Sequence, residues 1–173
     1  MATFKINGKN FATQDGTGAA TVHSDVVFPA GHVVQTVTAS VNETVSTTST
    51  SFTHASQYDL TITPKFNNSK FRLHWSGSTY VNSNNAHGYV TFYRDSTNLG
   101  HSTEGLRLYQ VENDSSGARW QISAFDHIDT PNDGTAAIAE IVYKVYFRTT
   151  AGTGRLNYDG NYYSTSSVQE IKV

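Results

Sequence analysis

From Val33 onward, apolar and polar residues alternate with a period of two. Val33, Val37, Ala39, Val41 and Val45 fall on one face, and Val34, Thr36, Thr38, Ser40, Asn42 and Thr44 on the other. Alternation of this kind marks strands with one buried face. The pattern recurs in Tyr58, Leu60 and Ile62, ending at Pro64, and in Phe71, Leu73 and Trp75, ending at Gly77. Further inward stripes are Val90 and Phe92; Leu106 and Leu108; and Trp120, Ile122 and Ala124. Ala139, Ile141, Tyr143, Val145 and Phe147 make the longest stripe, and Leu156, Tyr158, Ile171 and Val173 close the series. Of these residues, Trp75, Phe92, Trp120, Ile141, Val145 and Phe147 are the expected core.

Polar, turn-forming segments separate the stripes. Glu112–Gly117 and Arg94–Asn98 read as hairpin connections, and Pro131-Asn132-Asp133-Gly134 as a tight turn. Eight or nine strands at this spacing predict an all-β, antiparallel β-sandwich or barrel. No helix of ordinary length is expected, because Ala136–Tyr146 alternates and is rich in β-branched residues. The first 32 residues differ from the rest. Phe4–Ile6 and Asn10–Thr13 flank an Asn7-Gly8 turn, a small hairpin. Thr21–Phe28 is a further strand candidate before the Pro29-Ala30-Gly31 break. The expected division is an attachment segment over residues 1–32 and a sandwich over residues 33–173. Phe4, Ile6, Phe11 and Phe28 are the apolar residues of the first part that need a partner surface.

Composition agrees with this reading. The chain has 23 Thr, 15 Val, 10 Tyr and 9 Phe against 6 Leu, a balance that favours pleated sheet over helix. With 12 Lys plus Arg against 14 Asp plus Glu, scattered along the chain, there is no basic stripe for nucleic acid. No apolar run reaches membrane-spanning length, and the N-terminal stretch lacks a signal-peptide core, so synthesis and folding in a cytoplasm are expected. Cysteine is absent, which removes disulfides and thiolate metal sites.

The candidate chemistry is thin. His127 and Asp129 point the same way along a strand, as two metal ligands would, but a polar strand end explains them better, so no metal or other cofactor is expected. Gly16-Thr17-Gly18 and Gly152-Thr153-Gly154 lack the following helix that phosphate binding uses, and no nucleophile elbow occurs. No catalytic residue is assigned. Asn-x-Ser/Thr triplets at Asn42, Asn67 and Asn113 are chance matches in a chain with 54 Ser, Thr and Asn residues. The segment from Asn157 to Ser167 is the better lead. Tyr158, Asp159, Asn161, Tyr162 and Tyr163 combine aromatic faces with hydrogen-bonding groups. They suit a subunit seam or a glycan contact, with the seam preferred.

Several segments, in order, resemble β-sandwich domains in structural proteins of tailed bacteriophages, especially marine and cyanobacterial phages. They are Phe28-Pro29-Ala30-Gly31-His32-Val33-Val34-Gln35, the run Leu60–Phe71 through Thr63-Pro64-Lys65, Val90–Gly100 through Arg94-Asp95-Ser96-Thr97-Asn98-Leu99-Gly100, Tyr143–Thr149, and Glu170–Val173. The resemblance spans about residues 28–173. It implies a jelly-roll-like domain, a homotrimer on the virion surface, a capsid or tail protein as mount, and no catalytic residues. With only the first 32 residues before the sandwich, a head decoration or short tail appendage is expected, with host contact at its exposed surface. The rival expectations are a stand-alone, lectin-like glycan-binding module and, with least support, a polysaccharide hydrolase.

Overall fold

The computed structural model of the chain describes residues 2–14, 16–18, 20–22, 29–109, 119–131, 139–158 and 162–173; the side chains at positions 21, 22, 109, 119 and 120 lie outside that description. Among the described residues all regular structure is β. A three-stranded N-terminal sheet comprises β1 (Ala2–Ile6), β2 (Lys9–Gln14) and β3 (Thr21–Val22), which pair only with one another among the described residues. Asn7 and Gly8 both take positive φ, 49° and 79°, the turn geometry that twists with a two-residue hairpin.

Two antiparallel sheets form the sandwich. One has the order β10-β8-β12-β6, with β9 also paired to β8; its strands are β6 (Thr53–Ile62), β8 (Gly88–Arg94), β9 (Thr97–Asn98), β10 (Arg107–Tyr109) and β12 (Ile141–Thr149). The other has the order β4-β14-β7-β13-β5, with β11 on the free side of β7; its strands are β4 (Val33–Val41), β5 (Val45–Thr47), β7 (Lys70–Val81), β11 (Arg119–Asp129), β13 (Gly154–Leu156) and β14 (Ser164–Ile171). The long strands β6, β7, β8, β11, β12 and β14 alternate between the sheets along the chain, a jelly-roll-like weave. Among the described residues the sandwich holds eleven strands rather than eight or nine, because β5 continues the Val33–Val45 stripe of β4 as a separate strand and the two-residue β9 is too short to show a period.

The core lies where the alternation places it over most strands. Tyr58, Leu60, Ile62, Phe71, Leu73, Trp75, Val90, Phe92, Ile141, Tyr143, Val145 and Phe147 are buried. Phe125 of β11 bridges the layers, with its ring 5.9 Å from Trp75 and 5.1 Å from Phe92. The hydroxyls of Tyr58 and Ser164 hydrogen-bond between the sheets at 2.5 Å. Burial raises the Tyr58 phenol to about 12, although the Ser164 hydrogen bond opposes the shift.

Several expectations need correction. The inward face of β11 is Ser123, Phe125 and Asp129, whereas Ile122 and Ala124 are exposed. Its register sets this phase: Phe125 lies opposite Trp75 and Asp129 opposite Phe71, both inward residues of β7. Trp120 lies opposite Tyr80 in that register, and its side chain is outside the described residues. Leu108 is exposed on the short edge strand β10. Ala139 is exposed ahead of β12, and Val33 is exposed beyond an irregularity in the β4–β14 pairing. Gly77 does not end a strand, since β7 continues to Val81. A Cβ at Gly77 would stand 2.4 Å from the Ser164 Cβ and 3.0 Å from the Trp75 ring, so the glycine admits β14 and the indole.

The polar segment Ser164–Ser167 is the start of β14, which lies between β4 and β7. Its buried residues are Ser164, Ser166, Val168 and Glu170, while Ile171 is half-buried and Val173 exposed. The Glu170 carboxylate accepts from the backbone N–H groups of Lys65 and Phe66, the Ser69 hydroxyl and the Gln35 amide, at 2.6–3.0 Å. That satisfies a fully buried acid and pins the β6–β7 loop. Strands β10 and β11, expected as a hairpin across Glu112–Gly117, pair instead with β8 and β7 in different sheets. Glu112–Gly117 and Asn132–Gly134 lie outside the described residues. The β8–β9 hairpin through Asp95 and Ser96 forms as expected. At the head of the sandwich, Gly31 N donates to Lys172 O at 2.7 Å and Lys172 N to His32 O at 2.9 Å, tying the entering chain to the last residues.

Candidate functional site

A cleft of about 550 Å³ opens on the outer face of the six-stranded sheet. Ser76, Gly77 and Ser78 of β7 form its floor. Ile122 of β11, paired with Ser78 in the register, forms one wall. Tyr158, Tyr162 and Tyr163, from the connection between β13 and β14, form the other. Ile122 is 80% exposed, Tyr162 67% and Tyr163 71%, so all three offer apolar surface to solvent.

The tyrosine wall is held by short local bonds. Asn157 adopts a positive φ of 54°, a conformation that Asn tolerates better than most residues. Its backbone N–H donates to Ser78 O at 2.8 Å, and its buried side-chain amide donates to Val41 O at 3.1 Å and to Tyr162 O at 2.9 Å. One side chain thus ties β4 to the tyrosine wall. Thr44 Oγ1 donates to the carbonyls of Asn157 and Tyr158. Tyr158 N donates to Ser78 Oγ at 3.0 Å, and the Tyr158 ring stacks on Tyr80 at 4.3 Å with Arg155 over both rings.

Tyr162 and Tyr163 have no aromatic partner among the described residues. Ser76 makes no side-chain hydrogen bond there, and Ser78 Oγ, used as an acceptor by Tyr158 N, keeps its proton to donate. The described lining carries no formal charge. The structure therefore brings Tyr158, Tyr162 and Tyr163 together, as the sequence suggested; Asp159 and Asn161 lie outside the described residues. Sequence reasoning missed Ser76, Ser78 and Ile122. The available signal was Ser76-Gly77-Ser78 inside a long strand, since a strand-interior glycine marks close approach of another backbone or a ligand.

The other candidates separate from this cleft. On the N-terminal sheet, Phe4, Ile6 and Phe11 are exposed, and Phe4 and Phe11 meet edge-on at 5.8 Å. Phe28 is outside the described residues. Asp129 is committed to an inter-sheet contact: Arg94 Nη1 donates to both carboxylate oxygens at 2.7 and 2.9 Å, and the Tyr143 hydroxyl donates at 2.8 Å. His127 and Asp129 therefore do not form a ligand pair. Among the described residues no three His, Asp or Glu side chains gather as a metal site would require. On the outer face of the other sheet, Tyr146 stacks between Tyr93 at 4.0 Å and His54 at 4.9 Å, and His54 bonds Asp59 at 2.6 Å. That row is a packed ladder, and Tyr93 at one end of it also lines a second cleft, of about 370 Å³, with Thr50, Ser51, Phe52, Ser102, Thr103 and Arg148.

No protein-family model matches the chain, and no curated protein matches it in sequence. Among solved structures, the chain is similar to one in the structure of infectious bursal disease virus Gx strain, with 11% identity and a TM-score of 0.38. The match covers 99% of this chain and 50% of that one, so this chain spans about half the length of its structural neighbour. A score of that size does not establish a common fold.

Proposed function

We propose that this chain is a non-enzymatic structural module of a tailed-phage virion surface, as a capsid decoration or short tail appendage. The N-terminal sheet mounts it and the sandwich projects outward. One observation carries the reading. Phe4, Ile6 and Phe11 lie exposed on a small sheet whose strands, among the described residues, pair only with one another. A three-stranded sheet with its aromatic residues in water gains stability by docking against a partner. The sequence resemblance supplies the kind of partner, a phage capsid or tail protein.

Self-assembly as a homotrimer belongs to the same reading. Strand β11 supports it. It is 11 residues long, pairs with β7 without a register break, contains neither Lys nor Pro, and has no partner on its other side among the described residues. Natural sheets usually protect such an edge, and a neighbouring subunit is one means.

Removal of residues 1–28 tests the mount. The cut stops short of Gly31 and His32, which are bonded to Lys172. The truncated chain is expected to melt cooperatively and to fail to incorporate into particles. Incorporation at the level of the whole chain would place the mount in the sandwich. Loss of folding would show that the two parts are one unit.

A further inference from the structure

We propose that the cleft between Ile122 and the Tyr162–Tyr163 wall binds a neutral carbohydrate. The idea does not rest on the mounting role, and its failure would leave particle incorporation untouched. A pyranose ring has an apolar C–H face and a rim of hydroxyls that donate and accept. The cleft presents the matching set: two tyrosine rings without an aromatic partner among the described residues, an isoleucine side chain, and the hydroxyls of Ser76 and Ser78 on the floor. Tyrosine gives a large, rigid contact with few torsions to freeze, which suits weak, repeated ligands.

Charge and shape select this occupant over others. Among the described residues no Lys, Arg, Asp or Glu lines the cleft, so a phosphorylated, sulfated or uronate-rich ligand would lose solvation there without gaining a counter-ion from them. A subunit seam calls for a strip that two surfaces can cover together. Here the tyrosines instead rise as one wall of a concave site over a floor of small residues, the shape of a ligand pocket. Asn157 and Ser78 hold the backbone of the wall at Asn157, Tyr158 and Tyr162, which lowers the ordering cost that a ligand must offset there.

The test uses the full chain with a panel of short neutral oligosaccharides of glucose, galactose, mannose and N-acetylglucosamine, and an acidic set of sialylated and uronate oligosaccharides. Binding is read by saturation-transfer NMR and by intrinsic fluorescence. At least one neutral oligosaccharide is expected to bind, and Tyr162→Ala and Tyr163→Ala should each weaken it by about tenfold or more. Both rings are mostly solvent-exposed, so the variants should keep the parental melting temperature. Ile122→Glu should also weaken binding, while Ile128→Ala, farther along β11, should leave it unchanged. The proposal is overturned if no neutral oligosaccharide binds up to about 10 mM. It is equally overturned if the acidic set binds better, or if the tyrosine variants bind as well as the parent. Loss of self-association in those variants, without any sugar binding by the parent, would assign the cleft to a second copy of the chain.

Discussion

The Tyr143 hydroxyl donates to Oδ2 of Asp129 at 2.8 Å, joining β12 of one sheet to β11 of the other. Arg94 completes the contact from β8. Burial, and then the charge of Asp129, push the Tyr143 phenol well above its ordinary range, so it stays a donor. This contact holds the end of β11 against the opposite sheet and so fixes the strand whose outer face carries Ile122.

Tyr143→Phe removes the donor and leaves the Asp129–Arg94 pair in place. The expected loss is about 1.5–3 kcal/mol, as for a hydrogen bond to a charged group. Asp129→Ala should cost more, because Arg94 and the Tyr143 hydroxyl then lose their shared acceptor. Urea denaturation of the two variants checks the order, and an Asp129→Ala protein as stable as Tyr143→Phe would contradict it.

Gly77→Ala should destabilise the sandwich although Gly77 sits in an unstrained strand. The added methyl collides with Ser164 and Trp75, and overpacking of this kind costs about 1–3 kcal/mol. A change within about 0.5 kcal/mol would mean that β14 moves freely away from β7.

Tyr58 predicts a loss of stability in alkali. Its phenol titrates near 12 when folded, above its ordinary value of 10.0. The unfolded chain therefore releases this proton first as pH rises. The contribution is complete below pH 10 and is lost progressively between pH 10 and 12. Its size is on the order of 2–3 kcal/mol, and Tyr143 adds to it with the same sign. Tyr58→Phe should flatten the fall in denaturation midpoint over that window. An unchanged slope would show that Tyr58 does not titrate with unfolding.

Phe147→Ala and Ile122→Ala test the two faces. Phe147 is fully enclosed, and its truncation should cost about 3–5 kcal/mol. Ile122 projects into solvent and should cost less than about 0.5 kcal/mol. In thermal denaturation, a cost above about 1 kcal/mol for Ile122→Ala would reveal an inverted β11, and a cost below that for Phe147→Ala would put the wrong face of β12 inward.

The sequence by itself determined the all-β class, the inward stripes of β6, β8 and β12, and the two short hairpins. Each of these is local: alternation of large apolar with polar residues names a buried face, and Asn-Gly names its turn. Strand β11 shows where local information ends. Ile122 and Ala124 alternate with Ser123, Phe125 and Asp129, so hydropathy favours neither face strongly. Register with β7 and the waiting Arg94 and Tyr143 decided it. In β14 the inward side is mostly Ser and Glu, tolerable only because Tyr58, Val41, Ser69 and the Lys65–Phe66 backbone meet those groups. Tyrosines 158, 162 and 163 stood out in the sequence, but their cleft did not. Its floor and far wall come from β7 and β11, and only the packing of the sheet brings these three distant segments together.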